Sequence, residues 1–135
     1  MRPASALAKR FAMCLCAALC SGGGARAAED PAIYPAAQCA AFWLGFSDYA
    51  QRSAFLDYDP DDLTHSQMFR DIAVNLSPSR TDEIDAKISS ERTAMALLVE
   101  AMIYGGDEQS RDVVERLTAT CDRFAADHPN LTDPD

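Results

Sequence analysis

Apolar residues recur at three- and four-residue steps along four stretches of this chain, and no useful length alternates with period two, so the pattern predicts helices and no strand. The first stretch, about 35–53, gathers Cys39, Phe42, Phe46, Tyr49 and Ala50 on one broad stripe with Trp43 beside it, and leaves Asp48 and Ala41 on the opposite side. Pro35 suits a first helical turn, where its missing N–H would have no partner anyway. The second, from about Leu63 or His65 to Leu76, turns Phe69, Ile72 and Leu76 inward with Met68 alongside. Thr64-His65-Ser66-Gln67 has the form of a capping box, and Ser77-Pro78 stops the helix because proline disfavours helical geometry in the residue before it.

The third stretch, about 79–104, spaces Ile84, Ile88, Met95, Leu98 and Met102 along one face, with Glu91 at the skipped inner position. Asp82, Glu83 and Asp85 fall in its first turns, where carboxylates favour the positive end of the helix dipole. Gly105-Gly106 ends it, as glycine does where the chain turns left-handed. The fourth, about 108–127, takes Asp107 as N-cap and faces Val113, Leu117, Thr120, Cys121 and Phe124 inward. Pro129 closes it, and 129–135 is expected to be a mobile tail.

The first 27 residues stand apart. Arg2, Lys9 and Arg10 precede an uncharged apolar run of about ten residues, Phe11 to Cys20, too short to span a bilayer. Small residues follow, and Ala25-Arg26-Ala27 offers a small-x-small cleavage site, so residues 1–27 are expected to be a signal peptide and the product periplasmic or secreted, without stable membrane insertion once the signal is cleaved. Residues 28–128 then form a single helical domain.

Removing the leader changes the chemistry. Of five cysteines, Cys39 and Cys121 remain, and two cysteines in an oxidising compartment are expected to pair. Closing a loop of that length is worth roughly 4–5 kcal/mol in the chain-entropy account. The expected fold is therefore all-α, a compact array of about four helices closed by one disulfide, Cys39–Cys121. The leader also takes four of the twelve basic residues and none of the 21 acidic ones, leaving a net charge near −13. Such a chain is repelled by nucleic acid and anionic lipid and attracts partners with a basic surface.

Catalytic and cofactor motifs do not stand out. His65 and His128 are the only histidines, with no C-x-x-C-H and no H-E-x-x-H, so neither a metal nor a cofactor is expected. A haem held between His128 and Met68, Met95 or Met102 is the nearest alternative. Four residues invite a binding role. Glu91 on an inner stripe needs an arginine partner or solvent. Gly45, four residues after Ala41 and beside Asp48, makes a small-residue groove, either for a neighbouring helix or as a notch for a partner. Trp43 is core or interface. Finally, 94–104 is apolar on nearly all sides with only Glu100 charged, so it is either central in the domain or turned toward a partner.

The series Cys39-x-x-Phe42-x-x-Gly45-x-x-Asp48, with Thr64-x-x-Gln67 opening the next helix, resembles periplasmic immunity proteins of the type VI secretion amidase-immunity (Tai-like) class. The resemblance covers about a quarter of the mature chain. It departs where those proteins often carry a further cysteine, since 58–62 here holds only tyrosine, acidic residues and proline. It implies a non-enzymatic protein that blocks a cell-wall-degrading effector. The expected function is thus a small exported protein-binding domain, in its most concrete form an immunity-type inhibitor. The alternatives are an acid-stress periplasmic chaperone and, last, an enzyme or haem-binding bundle. The pattern leaves the oligomeric state open.

Overall fold

The computed structural model describes residues 29–132, and the expected leader lies outside them. Among the described residues the regular structure is all helical, with no strand. It forms α1 (Gln38–Arg52), α2 (Asp61–Leu76), α3 (Thr81–Ile103), α4 (Glu108–Asp127) and a short α5 (Pro129–Thr132).

The chain enters through a wide turn, Ala32–Ala37, rather than starting the helix at Pro35. Tyr34 is extended (φ −138°, ψ 119°), as expected before a proline, and its peptide bond to Pro35 is cis. Asp30 fastens this entry: one carboxylate oxygen accepts the Ala32 N–H at 2.9 Å and the other meets the Arg80 guanidinium.

Helix α1 is the centre of the molecule. Ala40, Ala41, Phe42 and Ser47 are fully buried, with Cys39, Tyr49 and Ala50 nearly so, and they point to several sides. The assignment of Ala41 to an open side is corrected here: α1 has neighbours all round, because alanine, glycine and serine let other helices approach its backbone. Gly45 marks the tightest approach. A Cβ there would lie 2.6 Å from the Met95 Cβ and 2.7 Å from the Ala96 nitrogen.

The pairings fix the directions. Asp30 meets Arg80, Gly45 meets Met95 and Phe55 meets Tyr104, so α1 and α3 run side by side in the same sense. Helix α2 returns against α1, with the Ser66 hydroxyl donating to the Ala40 carbonyl at 2.8 Å in the buried seam. The third helix ends at the glycine pair, where Gly106 adopts φ +63° and the Asp107 N–H reaches back to the Ala101 carbonyl at 3.0 Å. Asp107 caps α4 as expected, accepting the Ser110 N–H at 2.7 Å. Descending α4 brings Cys121 to Cys39; the disulfide spans 82 positions with Cα atoms 5.7 Å apart, and both sulfur residues are buried.

Local details depart from the pattern. Helix α2 starts at Asp61, behind Pro60, because the Asp59 carboxylate accepts the Asp61 N–H at 2.9 Å and begins the helix a turn early. Thr64 is therefore already helical and no capping box forms; the Gln67 amide donates to Asp71 instead. Leu76, expected inside, is 36 % exposed at the helix end. The segment expected as a tail opens with the turn α5, whose Leu131 packs against the core.

Candidate interaction surface

The residues singled out from the sequence divide between two seams of α1. On the α2 side, Trp43 is half-buried in an aromatic cluster, 5.1 Å from the Phe42 ring centre and 5.8 Å from that of Phe46. The His65 ring covers it at 5.0 Å. On the α3 side, Gly45 is sealed by Met95 and the backbone of α3, so the groove beside Ala41 seats a helix and is not an open notch. Asp48 is clamped by Arg92 through both carboxylate oxygens, Nη2 lying 2.6 Å from Oδ1. Glu91 has a lysine partner where an arginine was expected: Lys87 Nζ lies 2.7 Å from Oε1, one turn back on α3. Its Oε2 is buried without a hydrogen bond.

Most basic side chains are consumed inside the molecule. Arg70 grips Asp85 in a two-pronged pair at 2.7 and 2.8 Å, Arg80 bridges Asp30 and Glu83, and Arg52 reaches Glu100 at 3.4 Å. The Arg70 hydrogen bonds hold Asp85 below the usual carboxylate range, and those of Arg80 do the same for Glu83. Among the described residues, Asp57, Asp59, Asp61, Asp62, Asp107 and Glu108 stand in no ion pair. Asp62 is buried at the start of α2, and burial first, then the nearby Asp59 charge, pushes its carboxyl up.

Sequence reasoning missed the most exposed apolar groups. Tyr104 and Phe55 are 70 % and 67 % exposed and meet at a 52° tilt with ring centres 5.2 Å apart, and Leu97 is 56 % exposed on the same helix as Tyr104. A shallow cavity of about 360 Å³ lies beside Phe55 and Tyr104, lined also by Tyr49, Arg52 and Glu100. Phe55 sits in the loop after α1, outside any periodic run, so only the apolar character of 94–104 signalled this face. A longer groove of about 1030 Å³ follows α2, lined by Leu44, Leu63, Met68, Val74 and Leu131 among others.

The histidines lie apart in role. His65 covers Trp43, while a ring nitrogen of His128 sits 2.8 Å from the Phe124 carbonyl. Among the described residues no cluster of three or more histidine, cysteine or acidic side chains could hold a metal ion, and no helix is long and apolar enough to cross a membrane. Comparison with family models, curated proteins and solved structures gives no match.

Proposed function

We propose that this chain is a small exported, non-enzymatic protein-binding domain, in its most concrete form an immunity-type inhibitor that occupies the basic cleft of a cell-wall hydrolase. One observation carries the proposal. Five basic side chains are spent on internal ion pairs, while several surface carboxylates stand in no ion pair and large aromatic groups remain exposed. A surface of that kind is complementary to a basic protein and unfavourable to nucleic acid or anionic lipid. The α1 spacing that resembles the amidase-immunity class is consistent with it, although Gly45 and Asp48 serve the α1–α3 seam rather than an open face.

The test is affinity capture from a periplasmic extract with the disulfide-bonded protein as bait, followed by a peptidoglycan-clearing assay on any hydrolase retained. The expected result is a retained hydrolase whose clearing stops at stoichiometric protein. A retained hydrolase that clears at its full rate sinks the inhibitor form, and capture of no protein sinks the binding domain.

A second reading, the acid-stress chaperone, has its own observation: carboxylates make every one of these clamps. Asp85 and Glu83 titrate lower in the folded chain than in the unfolded one. Their contribution is complete above the unfolded value near pH 4 and is lost as pH falls through the folded value. Asp62 works in the opposite sense, its burial penalty relieved as it protonates. Dye binding and gel filtration from pH 7 to 2 separate the readings. A chaperone opens and binds dye below about pH 4 and suppresses aggregation of a client, whereas opening without such suppression rules it out.

A further inference from the structure

The parallel course of α1 and α3 has a consequence at one end of the molecule. Both helices finish there, at Arg52 and Ile103, so two sets of C-terminal carbonyls bring partial negative charge to the same pole. Arg52 in the last turn offsets this on α1, but α3 carries no basic residue in its last turn. The positive start of α4 is also close by, but Asp107 caps it and Glu108 fills its first turn. On this pole stand the tilted, touching rings of Phe55 and Tyr104, with Leu97 two turns down the same α3 face as Tyr104 and Glu100 between those two. Asp57 adds a carboxylate two residues after Phe55.

We propose that this pole docks a basic segment of a partner protein, one arginine lying over the Phe55 and Tyr104 rings and pairing with Glu100, with an adjacent apolar side chain on Leu97. The proposal rests on the protein-binding reading and gives that reading an address. Three features favour a guanidinium. Exposed aromatic faces attract cations. The helix ends and free carboxylates set a negative potential. Glu100 is still 44 % exposed and is held by Arg52 only at 3.4 Å, against 2.7 Å for the Arg70–Asp85 pair. A second copy of the chain is a poor occupant, since two strongly acidic surfaces repel. The α2 groove has no comparable convergence of charge and exposed rings.

The experiment uses the purified disulfide-bonded chain and a synthetic hexapeptide carrying two arginines and a leucine, with the citrulline version as its uncharged counterpart. Amide shifts in the protein NMR spectrum locate binding. The arginine peptide should move residues 53–55 and 100–107, and the citrulline peptide should not. F55S/Y104S should weaken binding about tenfold. R52Q, which frees Glu100 and removes a competing cation, should tighten it about threefold. Equal shifts from both peptides, shifts confined to the α2 groove, or no saturation at millimolar peptide each overturn the proposal. So does a dimer that F55S/Y104S dissolves, which makes a second copy the occupant. Failures of the two readings look different. A captured protein whose binding survives F55S/Y104S removes the pole and leaves the binding domain standing. Arginine-specific binding at the pole by a chain that captures no protein does the reverse.

Discussion

Helix α1 and the second half of α3 are equally poor in charge, yet one is enclosed and the other stands half in solvent. In α1 the charged side chains are Asp48 and Arg52; from residue 94 to the end of α3 there is only Glu100. The sequence offers the second half of α3, apolar on nearly all sides, as either central or turned toward a partner. The structure puts α1 at the centre. Size explains the difference. Alanine at 40, 41 and 50 and glycine at 45 let neighbouring helices pack close to one backbone, while Leu97 and Tyr104 stay 56 % and 70 % exposed on α3 and at its end. Small residues on several faces therefore mark a central helix, and large ones on several faces mark one that has more apolar surface than its own domain can cover.

The difference between the two helices can be tested by how each responds to damage. The largest effect should come from C39A/C121A, which unfastens α1 from α4 and should cost about 4 kcal/mol by urea denaturation. Next is Gly45→Ala. Alanine gains about 1 kcal/mol in helix propensity, but its Cβ would overlap the α3 backbone, and overpacking against atoms that cannot rotate away costs up to about 3 kcal/mol. A net loss of about 2 kcal/mol is expected, read as a fall in melting temperature of about 10 °C. A neutral result would mean that α1 and α3 are less tightly seated than described.

Smaller effects sharpen the picture. Asp85→Asn removes a pair whose partners are both partly exposed, so the loss should be about 0.5–1 kcal/mol at pH 7. That loss should shrink only as pH falls through the lowered native value of Asp85, where the folded carboxylate protonates as well. The smallest effect should come from L97S/Y104S, within about 0.5 kcal/mol of the parent. A loss above about 1 kcal/mol would show that the open half of α3 is part of the core after all and would break the comparison.

Much of the fold was legible because it depends on local chemistry. Asp107 capping α4, the Gly105-Gly106 stop and the pairing of Cys39 with Cys121 each follow from one or two residues and emerge where expected. The start of α2 was misread because two capping options overlap: Thr64-x-x-Gln67 has the right letters, but Asp59 and Pro60 nucleate the helix first. Glu91 falls between the two readings, its side chain 25 % exposed and one carboxylate oxygen enclosed. Its partner is not the expected arginine, since a lysine four residues earlier satisfies one oxygen without any help from another helix. The candidate site was the least legible part. Gly45 and Asp48 drew attention through their spacing and turned out to hold α3, while Phe55 and Tyr104 come from a loop and a helix end that no periodicity links.

The bond between Cys39 and Cys121 lies near both ends of the described chain, so almost everything between them, α2 and α3 included, forms a covalent ring. A protease that nicks the exposed connection at 57–60 therefore releases nothing. The two pieces stay joined through sulfur and migrate as one band until a thiol is added, so a single cut leaves the chain in one covalent piece.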